Sequence, residues 1–399
     1  MPGSGRFEGL DMRSFSKKKT TPKKVKTEVG PPKHAHAGSG AQSSSLQGAL
    51  LAWYSVARRD LPWRRTRDPY AIWLSEIMLQ QTRVDTVIPY FERFMAAFPT
   101  VSSLAEAPLD DVLSLWSGLG YYRRARMMHS ASKQVMSEMS GQFPSSREAL
   151  LEVQGIGPYT AGAVASIAFG EPAPLVDGNV ARVLARIFAI DDDVRSARGL
   201  AKIWKLAGEL VPAVGAGDWN QALMELGAMV CVPHDPRCLV CPVRASCAAR
   251  AQGRERDLPI LKAKSKPLAW CGMALVGTKG TQVLLARRRE DRLFGGLWEP
   301  PTMPASADPR GAFEQLLGVR LPSLREVGEV KHVLSHRRMT LSVHHAILRG
   351  AAPSLQETAL DYDAIELVER SRILERGVST LAKKILAQAS GPAKATSAR

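Results

Sequence analysis

Four of the chain's five cysteines fall within seventeen residues: Cys231, Cys238, Cys241 and Cys247, spaced C-x6-C-x2-C-x5-C. No other feature limits the fold as strongly. Thiols this close can be drawn into one cage around a zinc ion or an iron–sulfur cluster, and the spacing alone does not separate the two. Disulfide pairing fits less well, because nothing in the sequence marks secretion and a chain of 399 residues needs no staples. The fifth, Cys271, stands in an apolar, strand-like context and reads as a buried core residue.

Around the cysteines, residues 46–251 read as all-helical. Apolar residues recur at helical spacing in LQGALLAWYSVARR, YAIWLSEIMLQQ, VDTVIPYFERFMAAF, LDDVLSLWSGLG, TAGAVASIAFG and NVARVLARIF, separated by short Pro- and Gly-bearing joints. Residues 252–267 are polar, basic and Pro-containing, the composition of a linker. The pattern then changes. Residues 268–288 predict two short strands around a Gly-bearing turn and 327–348 a second pair, with helices at 310–317 and 379–389 completing a smaller α+β domain over 268–388. Residues 1–45, with the Lys-rich KKKTTPKKVK, and 389–399 lack apolar periodicity and read as disordered tails. No run approaches the roughly 20 apolar residues of a membrane span.

The formal charge of +16 points to a polyanionic partner, most simply nucleic acid. Its distribution is uneven: +6 over residues 1–50, +1 over 51–250 and +9 over 251–399. A uniformly basic surface is excluded, so the helical segment must bind through placed groups.

Three motifs supply such groups. VQGIGPYTAG (153–162) sets Gly155, Ile156 and Gly157 between two helices, where glycines permit close approach to a phosphate and the next helix offers its amides. Glu76, in PYAIWLSEIMLQQT, is the only acid between Asp68 and Asp85 and is flanked by Ile72, Trp73 and Leu79. A carboxyl desolvated in this way can hold its proton near neutral pH and act as a general acid. Ser75, Gln80 and Gln81 beside it suggest a cleft-facing helix. Asp177, in PLVDGNVARVL, reads locally as a helix N-cap, although a second carboxylate could stabilise a cationic sugar.

Taken in order, these motifs resemble the helix–hairpin–helix superfamily of DNA glycosylases over residues 46–250. LPWR (61–64), WLSEIMLQQT (73–82), GLGYYRRAR (118–126), VDGNVARVLAR (176–186) and NQALMELGAMVC (220–231) are similar to the MutY-type adenine DNA glycosylase branch. The resemblance implies a 4Fe–4S cluster on Cys231, Cys238, Cys241 and Cys247. It implies that Glu76 protonates the five-membered ring of adenine, that Asp177 stabilises the oxocarbenium sugar, and that Asn179 and Tyr159 assist. Gln81 and Tyr121 would wedge into the duplex, with Gln80 and Thr82 beside them. Trp63, Arg64 and Gln221 would line the adenine pocket once the base is flipped. Endonuclease III-type relatives carry Lys at the position of Tyr159; a tyrosine cannot form their imine, which implies a monofunctional enzyme. Ala181, where some members have Lys, points the same way.

Residues 268–388 resemble the MutT/Nudix-like domain of that branch. GGLWEPP (295–301) matches its start and HVLSH (332–336) its lesion-reading loop, so that Ser335 and His336 would sense 8-oxoguanine. Leu334 replaces a frequent Phe, and Gln154 stands where Pro is common in the hairpin. RGAFEQLLGV keeps only Glu314 of the acidic cluster that a Nudix hydrolase needs, so pyrophosphate hydrolysis should be lost. The expected protein is multi-domain: an all-α helix–hairpin–helix glycosylase domain with its cluster loop at 231–247, then the α+β Nudix-like domain. It would act as an intracellular monomer, away from membranes, on duplex DNA containing adenine opposite 8-oxoguanine or guanine, with replication or repair proteins as further partners. Glu76 and Asp177 together argue against a catalytically silent lesion-binding protein, and Tyr159 argues against a bifunctional lyase.

Overall fold

A buried helix organises the first half of the chain. Among the described residues of the computed structural model (39–262, 267–334, 336–357 and 359–390), twelve α-helices precede the first strand. They are α1 (Ser39–Ala57), α2 (Pro69–Leu79), α3 (Val84–Ala97), α4 (Val101–Glu106), α5 (Leu109–Leu115), α6 (Arg123–Glu138), α7 (Arg147–Leu150), α8 (Pro158–Phe169), α9 (Gly178–Ile187), α10 (Ala197–Leu210), α11 (Ala216–Met229) and α12 (Ala248–Ala251). Most of the expected N-terminal tail, the segment 391–399 and Ser335 lie outside the described residues.

Helix α2 starts on Asp68, whose side chain accepts from the Tyr70 amide at 3.1 Å, with Pro69 in the first turn. Every residue from Tyr70 to Met78 is buried. The cleft-facing helix inferred from Ser75, Gln80 and Gln81 is therefore corrected: Ser75 is buried and returns its hydroxyl to the Ile72 carbonyl at 2.8 Å. Helix α8 packs on α2 and also closely approaches the segment before Asp177. At Gly162 an added Cβ would come 2.1 Å from the Pro174 carbonyl oxygen, so no side chain fits there.

Two boundaries differ from expectation. Helix α1 begins at Ser39, inside the segment expected as tail: Leu46 and Leu50 are buried in the core and anchor it, and the Ala, Ser and Gln before them tolerate helix. The expected linker is partly strapped down. Leu258 is buried, its carbonyl accepts from Arg186 Nε at 2.8 Å, and the Lys262 amide donates to Asp193 at 3.2 Å. Charged neighbours hid that one apolar anchor.

The second half is built on β1 (Leu268–Lys279), β2 (Gln282–Arg288), β3 (Trp298–Glu299), β4 (Thr302–Pro304), β5 (Arg325–Val333), β6 (Arg337–Ile347) and β7 (Tyr362–Glu369). The sheet order is β3-β2-β1-β6-β5, with β4 on β1 and β7 on β2. β1 and β6 run parallel, whereas β5–β6 and β2–β7 are antiparallel, which makes the sheet mixed. Alternation along β1 builds two cores. Ala274 and Val276 face α14 (Thr380–Ser390) with Leu381 and Ile385, while Met273 and Leu275 face α13 (Pro309–Leu317) with Phe313 and Leu317. The expected short first strand is thus twelve residues long. β7 escaped notice because acids interrupt its apolar residues. Cys271 is exposed, not buried: β1 becomes buried only from Gly272 onward.

The halves meet where the Tyr122 hydroxyl and Ser117 Oγ each donate to the Val378 carbonyl at 3.0 Å, and where Arg126 donates to the Gly295 carbonyl. Between them opens a cleft of about 1320 Å³.

Candidate active site

Glu76 stands at the middle of α2, 5% exposed, and accepts a hydrogen bond at Oε2 from the Tyr159 hydroxyl. Tyr159 is the second residue of α8, so the turn holding Gly155 (φ +82°) and Gly157, the N-cap of α8, aims this hydroxyl inward. Burial pushes the Glu76 carboxyl up to about 7; the Tyr159 bond pulls it down, Asp177 pushes it up and Arg64 pulls it down, each more weakly. Burial and the neighbouring carboxylates Glu76 and Asp177 hold the Tyr159 phenol well above its ordinary range, so it is a donor and not a phenolate.

Asp177 fills both roles read from the sequence. It caps α9, accepting from the Val180 amide at 2.7 Å, and its other oxygen accepts from Asn179 Nδ2 at 2.8 Å. Burial raises its carboxyl above the usual range against these bonds. Asn179 is fixed in turn by Arg182 at 2.8 Å, which also donates to the carbonyls of Gly227 at 2.9 Å and Cys231 at 2.8 Å.

The four cysteines line one cavity beneath α9. Arg186 donates to Cys231 Sγ at 3.3 Å and to the Val232 carbonyl at 2.7 Å, tying the loop to the helix that carries Asp177 at its start. Burial raises the Cys241 thiol to about 11 and shifts Cys238 and Cys247 upward. No disulfide joins any of the four. Among the described residues, no three His, Cys, Asp or Glu side chains converge closely enough to hold a single metal ion.

Of the expected pocket residues, Trp63 is buried edge-on against Phe91, with ring centroids 5.5 Å apart. Arg64 is committed to Glu225 at 2.9 Å and to the Arg59 carbonyl at 3.1 Å, and the buried Gln221 donates to the Gly217 carbonyl at 3.3 Å. Glu225 was missed in the sequence. It is 1% exposed and takes both Nε and Nη2 of Arg59 at 2.8 Å. Burial alone would raise its carboxyl, but the bonds from Arg59 and Arg64 bring it to about 2. Its signal was an acid at a helical core position three residues after Ala222.

Gln80, Gln81 and Tyr121 line the cleft from the helical side, and His332, Leu334 and His336 line it from the sheet side. Gln80 also donates to Thr160 at 3.5 Å. Gln81 and Tyr121 have φ of +59° and +50°, and Tyr121 is 47% exposed. Thr82 Oγ1 accepts from Arg124 at 3.2 Å. Ile156 is buried and pins the hairpin to the core. The structure thus brings the expected acid, carboxylate and hairpin together, while Trp63 and Arg64 pack inward. Ser335 lies outside the described residues.

Comparison with known proteins gives these features a class. Residues 74–207 match the HhH-GPD superfamily base excision DNA repair protein family, and residues 272–388 match the NUDIX domain. The chain is therefore a base-excision DNA glycosylase with an appended Nudix-type domain. Human adenine DNA glycosylase is 39% identical over 375 residues, covering 78% of this chain and 69% of its own. The Rattus norvegicus adenine DNA glycosylase is 38% identical, covering 79% and 72%, and that of Schizosaccharomyces pombe is 33% identical, covering 78% and 84%. The chain belongs to the adenine DNA glycosylase family.

Proposed function

We propose that this glycosylase removes adenine lying opposite 8-oxoguanine or guanine in duplex DNA, by hydrolysis and without strand cleavage. The observation that carries the reading is a buried carboxyl raised to about 7, hydrogen-bonded by Tyr159, with a second carboxylate close enough to raise it further. Tyr159 occupies Oε2, which leaves Oε1 to carry the proton. With adenine flipped into the site, Glu76 passes that proton to the five-membered ring. The N-glycosidic bond then breaks with its electron pair going to the base, and neutral adenine departs. The Asp177 carboxylate, held by the Val180 amide and Asn179, faces the positive charge developing on the sugar. Water adds to that carbon and loses its proton to a carboxylate, leaving an abasic site. Tyr159 offers no amine, so no imine to the sugar forms.

Gln81 and Tyr121, projecting into the cleft, fit the role of wedge residues. The loop through His336 across the same cleft fits the reader of the opposite base. The four cysteines would hold a 4Fe–4S cluster, whose part is to fix the loop at 231–247 beneath α9. The choice of iron follows the family resemblance, and the four thiols lining one cavity are the donors such a cluster needs. Single-turnover incubation with duplexes pairing 8-oxoguanine or guanine against each base tests the substrate. Adenine should be the base released; preferential release of any other would overturn the reading.

A further inference from the structure

We infer that Arg124 is a positioning residue for base extrusion, a single guanidinium that sets Gln81 and Tyr121 in a common register. The inference rests on the reading of those two residues as the wedge. Arg124 Nη1 donates to the carbonyls of Ile77, Met78 and Gln80 at 2.7, 2.9 and 2.6 Å. These are carbonyls that the end of α2 leaves without partners. Its Nη2 donates to the Gly120 carbonyl and to Thr82 Oγ1, both at 3.2 Å. The same group lies over the rings of Trp116 and Tyr121, at 5.3 and 5.4 Å from their centroids.

The two carbonyls that matter most belong to Gln80 and Gly120, each immediately before a wedge residue. Gln81 and Tyr121 both hold positive φ, a conformation that is strained for a residue with a β-carbon. Such backbone persists where its surroundings over-determine it. Here one side chain grips both peptide units from between the two segments, so neither wedge residue can relax without the other. Burial draws the guanidinium down to about 10, still cationic at neutral pH. Lysine would keep that charge, and with it any attraction to phosphate, but its three donors radiate from one nitrogen and cannot reach five acceptors spread over two segments.

The test is a double-mutant cycle on R124K and Y121A, read by single-turnover adenine release and by the fluorescence of a 2-aminopurine placed beside the target adenine, which brightens as the base leaves the stack. R124K should slow both readouts by something on the order of 10²-fold, the effect of an ångström-scale misplacement, with duplex affinity nearly kept. Y121A/R124K should be about as slow as Y121A alone. R124K at the parent rate beside a slow Y121A, or losses that multiply, would overturn the proposal and leave the wedge reading standing. A Y121A variant as fast as the parent removes the wedge reading, and this proposal with it. Should R124K melt too low to assay, T82V replaces it in the cycle. Thr82 and Tyr121 both touch Arg124, so non-multiplicative losses are expected and independent ones refute the coupling.

Discussion

The Tyr159 hydroxyl donates to Glu76 Oε2 inside the protein, with a phenol held well above its ordinary range against a carboxyl raised to about 7. Because the tyrosine keeps its own proton, the pair has one labile proton near neutrality, and that proton belongs to Glu76. Each proton-dependent property of the enzyme should follow from it.

Glu76→Gln removes that proton while keeping the shape. Base release in single turnover should be abolished and affinity for the lesion duplex nearly retained. Stability should move the other way. Between about pH 4.5 and 7 the native carboxyl binds a proton that the unfolded one has released, so the parent loses stability as pH rises through this window. The variant is spared the loss. Above pH 7 it should exceed the parent by up to about 3 kcal/mol, measured by denaturant unfolding at pH 5 and pH 8. An identical pH dependence in the two proteins would mean that Glu76 is not the raised group.

Tyr159→Phe deletes the bond that pulls the Glu76 carboxyl down. The single-turnover rate of the parent should fall as pH rises through about 7, roughly tenfold per pH step once the acid is ionised. In the phenylalanine variant the fall should begin at higher pH, with a lower plateau because the acid is less well oriented. A fall displaced to lower pH would contradict the hydrogen-bond geometry.

How far these residues were legible in the sequence depends on what each needs from the fold. Glu76 stood out because Ile72, Trp73 and Leu79 flank it and no other acid lies between Asp68 and Asp85. The helices around it were readable by periodicity, and β1, β2, β5 and β6 by their flanking turns. Glu225 was not legible, since its partners Arg59 and Arg64 lie more than 160 residues away and only the packing of α1 against α11 brings them together. Asp177 shows the middle case. The string PLVDGNV announced the cap, resemblance supplied the role at the sugar, and the structure adds that the capping carboxyl is buried and acts on Glu76. Trp63 was placed at the pocket by resemblance, and what the structure adds is its edge-on contact with Phe91.

Glu225→Ala tests the ion pair that sequence did not reveal. Losing a buried carboxylate leaves Arg64 and Arg59 without their acceptor. The cost should be about 3 kcal/mol, the low end for a broken buried pair because the Arg59 side chain stays 32% exposed and is partly screened. The native carboxyl titrates near 2 and the unfolded one near 4.5, so the pair's contribution is complete above 4.5 and disappears as pH falls toward 2. Parent and variant should therefore converge in stability on acidification, and a gap independent of pH would show that lost packing, not charge, sets the cost.

Cys238→Ser examines the thiol cage without touching the carboxylates. If the cage holds a 4Fe–4S cluster, the parent should be yellow-brown and carry about four irons per chain, and the serine variant should lose both colour and iron. The consequence should reach beyond the loop. Arg186 bonds Cys231 Sγ and the Val232 carbonyl, while Arg182 bonds the Cys231 carbonyl and Asn179, so α9 is fastened to the cage along its length. A loosened loop releases Arg182, Asn179 loses its anchor, and the Asp177 carboxylate loses one of its two fixed donors. Metal loss should thus lower the melting temperature and slow adenine release with little change in the pH at which the rate falls, because Glu76 is held by other elements. A colourless parent that binds one zinc would overturn the cofactor. A serine variant stripped of iron yet releasing adenine at the parent rate would show that the bonds along α9 do not carry the cage's order to the carboxylate.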